Sequence, residues 1–186
     1  PNIEREVTHI LSPGTVLNDF NNINVENNLV SIYIEKNILM NKELYSAGIS
    51  IINVATGKSM ITNVIQNYED ENYTDNEIQR ILSYYNPVEI LVHTKDFILT
   101  KEEIINKYDL SHDNIYINHF IEEKEFTQIP YQNNLLQKVF NFNTMNTPIE
   151  ELNLERKEEV LLSYVYLLNF IHQHKTNLID NVERPN

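Results

Sequence analysis

Several residue groups in this 186-residue chain invite a chemical reading. Ala55-Thr56-Gly57-Lys58-Ser59 ends like a phosphate-binding loop, in which backbone N–H groups cradle phosphates and the lysine neutralises them. That loop needs a glycine five residues before Gly57 and must open a helix. Position 52 is Ile52, and the residues after Gly57 read as a strand, so a hairpin turn is expected instead. His172 and His174 lie two apart on a helix and point to different faces, and His112 and His119 flank a strand with Asp113 beside the first. A metal site needs three or four converging ligands, and this spacing predicts no convergence. Hydrolysis of a phosphodiester by two metal ions needs several carboxylates around one point. Glu35 closes its strand, Glu89 lies in a short strand without an acidic neighbour, and the amide of Asn53 is no substitute for a bridging carboxylate. With only Gly14, Gly48 and Gly57 there is no G-x-S-x-G serine nucleophile motif. No catalytic, cofactor-binding or metal-ligating residue is therefore assigned.

Composition narrows the classes further. The formal net charge is −13, with 14 basic against 27 acidic residues. Nonspecific nucleic-acid binding rests on Lys and Arg displacing counterions from phosphates, so no strong direct DNA binding is expected. The chain has no cysteine, which removes disulfides and thiolate chemistry and fits an intracellular setting. "PNIEREV" carries charges where a secretory signal needs an apolar run. The most apolar segment, Val160 to Ile171, is too short to span a bilayer, so no membrane association is expected.

The elements that would hold these residues follow from periodicity. Leu29–Asn37, Tyr45–Ala55 and Ser59–Asn67 are rich in β-branched and aromatic residues and read as three antiparallel strands, the last two joined through Thr56-Gly57-Lys58. An acidic connection follows. Thr74 and Glu77 have capping-box spacing ahead of Ile78, Ile81, Leu82 and Tyr85, and Asn86-Pro87 ends that helix. Val88–His93 reads as a buried strand parallel to a neighbour. Thr100 and Glu103 form a second capping box before Ile104, Ile105 and Tyr108, and Asn114–Phe120 is a fifth strand. Ile121–Phe126 reads as a solvated charge run. Ile129–Asn141 and the region opened by Thr147-Pro148 read as helices. Glu158–Lys175 is a largely buried helix with a narrow polar stripe of Glu159, Ser163, Asn169 and Gln173, joined by Tyr166. "TNLIDNVERPN" then trails off without a cap or a core.

Three antiparallel strands followed by alternating helices and strands is the layout of an α/β, ribonuclease H-like mixed sheet with helices on its faces. A divergent nuclease of that fold is the alternative function, but its opening strand would carry an Asp that this chain lacks.

Glu4–Val16, "EREVTHILSPGTV", resembles the segment of MutS-family DNA mismatch repair proteins that leaves the mismatch-binding domain. The family pattern is close to V-x-R-x-x-T-P-G-T. Val7, Pro13, Gly14 and Thr15 match it, with His9 in place of Arg and Ser12 in place of Thr. "NNLVSIYIEKN" resembles the family's "DNLLAAI" strand, and "GISIINVATGKS" its "GLAYLDISTGEF" hairpin, with Gly48, Thr56 and Gly57 shared and Asn53 replacing Asp. "YYNPVEILVHTKDF" resembles the N-P-x-E-[IL]-L segment, and the final helix with "NLIDNVERP" resembles the approach to the core, or lever, domain. Between Thr100 and Thr147 only the order of elements carries the resemblance.

The resemblance implies a fragment: the connector domain (domain II), without a catalytic site or cofactor of its own. Residues 1–17 are then a linker leaving the mismatch-binding domain, 18–176 the connector, and 177–186 the start of the linker to the lever domain. The family's Phe-x-Glu motif would precede residue 1 and its ATPase loop would follow residue 186. The parent would be a homodimeric, DNA-dependent ATPase using ATP and Mg. Expected partners of the connector are its neighbouring domains and a MutL-type protein.

Overall fold

A computed structural model describes residues 27–95, 97–110, 116–121, 124–174 and 176–185. The opening segment Glu4–Val16, with His9, and also His112 and Asp113 lie outside the described residues, as does the His119 side chain.

Alternation along the first two strands buries both of their faces. In β1 (Asn28–Leu39), Val30, Ile32 and Ile34 point to one side, and Leu29, Ser31 and Tyr33 to the other. β2 (Lys42–Asn53) sends Ala47, Ile49 and Ile51 to the first side. Its other face carries Ser46, Gly48, Ser50 and Ile52. β3 (Ser59–Val64) completes an antiparallel meander, ending three residues earlier than the sequence suggests. β4 (Glu89–Lys95) lies parallel to β1, and β5 (Tyr116–Ile121) parallel to β4. The strand order is β3-β2-β1-β4-β5, the ribonuclease H-like arrangement.

Handedness decides where the helices go. The steps from β1 to β4 and from β4 to β5 advance in one direction, so two right-handed crossovers place their helices on the same face. α1 (Tyr73–Tyr85) and α2 (Lys101–Lys107) accordingly pack Ile78, Ile81, Leu82 and Ile104 onto Val30, Ile32, Ile90 and Val92. The opposite face is covered by α3 (Ile129–Phe140), α4 (Pro148–Glu151), α5 (Glu158–His174) and α6 (Thr176–Ile179). Among the described residues no helix is long and apolar enough to cross a membrane.

Of the two expected capping boxes, Thr100–Glu103 forms and Thr74–Glu77 does not. α1 starts two residues earlier, at an Asn72 cap with no side-chain bond. The Thr74 hydroxyl instead donates to the carbonyl of Tyr45, tying α1 to β2, and Glu77 pairs with Arg80 at 2.7 Å. A third box forms at Thr147–Glu150, with Pro148 in the first turn. Bonds from the Thr100 and Thr147 backbone N–H groups hold the Glu103 and Glu150 carboxyls below their usual value of 4.5. A lowered carboxyl adds stability that is complete above the unfolded value and is lost as pH falls through the folded one. The double variant Glu103→Gln/Glu150→Gln keeps the box geometry without the charge. Its melting temperature should therefore fall less steeply than the parent's below about pH 4.5, as thermal unfolding followed by circular dichroism would record.

The last residues do not trail off. Leu178, Ile179 and Val182 are buried in the same apolar cluster as α5. The N–H of Glu183 donates to the carbonyl of Gly57 at 2.8 Å, the Ser59 hydroxyl donates to the carbonyl of Glu183 at 2.7 Å, and the Arg184 guanidinium lies 4.5 Å over the Phe142 ring. Phe126 likewise leaves the expected charge run for the core, 4.5 Å from the Tyr166 ring, while Lys124 and Glu125 stay exposed.

Candidate functional site

The residues weighed for metal chemistry are held apart by strand register. Glu35 pairs across β1 and β4 with Lys95, and Glu89 pairs with Leu29 at the other end of the same two strands. Six positions separate the two carboxylates along the sheet, roughly 20 Å at about 3.3 Å per residue. Glu35 does not close its strand: it sits where the parallel pairing of β1 with β4 ends, four residues before the end of β1. There it accepts a hydrogen bond from the Lys95 ammonium at 2.9 Å, which places a fixed cation where a metal would need more anions. Glu89 is buried on the face that meets α5. Among the described residues no group of three or more His, Asp or Glu side chains is arranged to hold a metal ion.

Asn53 has a different task. Its side-chain carbonyl accepts from the N–H groups of Ala55 and Thr56 and from the Thr56 hydroxyl at 3.0–3.1 Å, and its amide donates to Asn28 at 3.3 Å. It builds the turn Val54–Lys58, which is one β-hairpin loop and opens no helix. Ser59 is committed to Tyr164 at 3.0 Å and to Glu183, and Lys58 is exposed. Burial raises the Tyr164 hydroxyl well above the ordinary tyrosine range, so it stays a neutral partner of Ser59.

The chain's most organised polar feature lies under α5. The stripe Glu159, Ser163 and Tyr166 faces the sheet, where the sequence alone left its direction open. Small residues on that side of β1 and β2 let the helix come close: an added Cβ on Gly48 would stand 2.0 Å from the carbonyl oxygen of Glu159. In that contact the Ser46 hydroxyl donates to the Glu159 carboxylate at 3.0 Å. The Ser163 hydroxyl bonds the Ser31 carbonyl at 2.8 Å and the Ser50 hydroxyl at 2.9 Å. Tyr166 stacks on the buried ring of His93, centroids 3.6 Å apart, with Tyr33 and Phe126 beside it. Asn169 turns aside to accept from the Tyr131 hydroxyl at 3.2 Å, and Gln173 is exposed. The Ser46–Glu159, Ser163–Ser31 and Ser163–Ser50 bonds together fix one seating of helix on sheet. The sequence reading passes over His93; its place two residues after Leu91, on the same side of an apolar strand, was the available signal.

Among the described residues, His172 and His174 have separate partners. His172 accepts from the Lys138 ammonium at 2.8 Å, and His174 contacts the Phe170 carbonyl at 2.8 Å while stacking on its ring. On the far face Asp75 joins the Lys107 ammonium at 2.9 Å and accepts from the Tyr108 hydroxyl at 3.3 Å. Burial, reinforced by the Asp75 charge, raises that hydroxyl well above its ordinary value.

No protein-family model matches the chain. It is 31% identical, over 98% of its length, to a putative DNA mismatch repair protein, a MutS homologue of Acanthamoeba polyphaga mimivirus, and spans 18% of that protein. It is 26% identical, over 99% of its length, to the DNA mismatch repair protein MutS of Clostridioides difficile, and spans 16% of it. Among solved structures, the fowlpox virus Holliday junction resolvase is 13% identical, covering 77% of this chain and 98% of that one with a TM-score of 0.39. RuvC of T. thermophilus is 10% identical, covering 75% and 90% with a TM-score of 0.39. Likenesses of that size add nothing to what the strand order says. The chain has a ribonuclease H-like α/β fold and is similar, over nearly all its length, to a segment of MutS-type mismatch repair proteins.

Proposed function

We propose that this chain is the connector segment of a MutS-like mismatch repair ATPase. In that reading it is non-catalytic, links the mismatch-binding part of the parent to the lever helices and ATPase, and offers a docking surface to a MutL-type protein. The similarity to two MutS homologues across 98% and 99% of the chain is the observation that carries it. The separation of Glu35 from Glu89, and the Lys95 ammonium seated on Glu35, support a body without metal-dependent cleavage. ATP and Mg then belong to the parent, a homodimer, outside this segment.

A relay between distant sites needs a body that moves as one piece, with its freedom confined to its ends. The packing of both sheet faces supports that role, and so does the clasp of residues 178–184 on the Gly57 turn. An acidic surface favours a protein partner over DNA, since complementary charge steers association and like charge opposes it.

Titrating the purified segment with the MutL-type protein of the same source should shift a contiguous set of its amide resonances and raise the scattering mass. Neither change appearing would remove the docking role. Metal-dependent cleavage of nucleic acid by the segment, lost on Glu35→Gln or Glu89→Gln, would overturn the non-catalytic reading and make the chain a nuclease.

A further inference from the structure

β1 and β2 run on beyond their neighbours. β4 accompanies β1 only to Glu35, and β3 accompanies β2 only from Ala47, yet the two strands pair with each other out to Leu39 and Lys42. Among the described residues the extension is a two-stranded ribbon with no third strand beside it. Its turn residues, Met40 and Asn41, both have positive φ, 49° and 64°. Such a turn matches the twist of a hairpin and ordinarily takes Asn-Gly, because a side chain at positive φ is strained. Here methionine holds the first place. Ile38, Leu39 and Met40 are 72%, 45% and 78% exposed, three successive large apolar side chains at the end of the β1–β2 ribbon.

The tip is braced rather than loose. The Tyr68 hydroxyl touches the Met40 sulfur at 3.5 Å, and the Lys42 ammonium lies 4.9 Å over the Tyr68 ring. The charges beside it are paired off, Lys36 with Glu43 at 2.6 Å and Lys42 with Glu71 at 3.2 Å.

We propose that Ile38, Leu39 and Met40 form an anchor that seats in an apolar socket elsewhere on the polypeptide to which this segment belongs. This rests on the reading of the chain as part of a longer MutS-like protein. Nucleic acid and anionic membranes are poor occupants, because the tip offers no unpaired cation and the chain carries a net charge of −13. A second copy is disfavoured by area. The three residues expose on the order of 400 Å², a patch of the size that is often functional, but about half of the roughly 800 Å² per partner of a free-standing interface. On one polypeptide the requirement relaxes, since a tether holds the two surfaces at millimolar effective concentration. The relatives, of which this chain spans 18% and 16%, have ample further chain to supply the socket.

Amide hydrogen exchange of residues 37–42 in the isolated segment and in the full-length parent separates the outcomes. We expect exchange at least tenfold slower in the parent, and restored to the fast rate there by Met40→Asp. The same variant should leave the melting temperature of the isolated segment unchanged, which excludes misfolding as the cause. Equal exchange in both contexts overturns the proposal. So does a dimer of the isolated segment in sedimentation that Met40→Asp dissociates, because the socket is then a second copy. Failure of the parent to bind mismatched DNA or hydrolyse ATP would count against the proposed function while leaving this comparison to be read on its own.

Discussion

Gly48→Ala is expected to lower the unfolding free energy of the domain by about 3 kcal/mol or more. The added methyl would stand 2.0 Å from the carbonyl oxygen of Glu159, 2.1 Å from its carbon and 2.3 Å from the nitrogen of Val160. All three are backbone atoms in the first turn of α5, so no rotamer change relieves the contact. The helix must lift, and lifting it stretches the Ser46–Glu159 and Ser163–Ser50 bonds together. Urea unfolding followed by circular dichroism measures the loss. Ser46→Ala, which removes one hydrogen bond from the same seam without adding volume, should cost only about 1 kcal/mol. A Gly48→Ala protein as stable as the parent would mean that α5 does not cross the sheet at this point.

That contact shows where reading the sequence stops. The alternation in β1 and β2 is plain in the chain, as are the order of strands and helices and the cap at Thr100. A period of two assigns residues to two faces but does not say which face meets which helix. Ser31, Ser46, Gly48 and Ser50 become a seat for α5 only once the antiparallel register has set them side by side. The polar stripe of α5 carried the matching half of the information and looked equally like a solvent face. Thr74 has the same local pattern as Thr100, yet a long-range partner, the Tyr45 carbonyl, wins its hydroxyl. The Glu35–Lys95 pair joins residues 60 positions apart and was invisible for the same reason. In sequence His93 looks like a strand boundary, one polar residue after an apolar run, whereas in the fold it is a stacking partner for Tyr166.

Length hides the tail: Leu178, Ile179 and Val182 are too few to set up a period, and their burial goes with the distant turn at Gly57. Gly57→Ala tests that dependence. Gly57 has φ +78°, where a side chain costs about 1–2 kcal/mol. Its added Cβ would also stand 2.0 Å from the carbonyl oxygen of Asn181. Unlike the Gly48 contact, this one falls on a segment that can swing away. The sheet and α5 should therefore keep their protection, while the amides of 178–184 lose theirs and the Glu183–Gly57 bond opens. Hydrogen exchange read residue by residue would show a local release, with most of the global unfolding free energy retained. Under the proposed connector role, the same change in the full-length parent should weaken stimulation of ATP hydrolysis by mismatched DNA more than it weakens basal hydrolysis. Loss of protection across the whole sheet at once would give the opposite answer: the tail is then part of the cooperative core, and no clasp at Gly57 can act as a separable link.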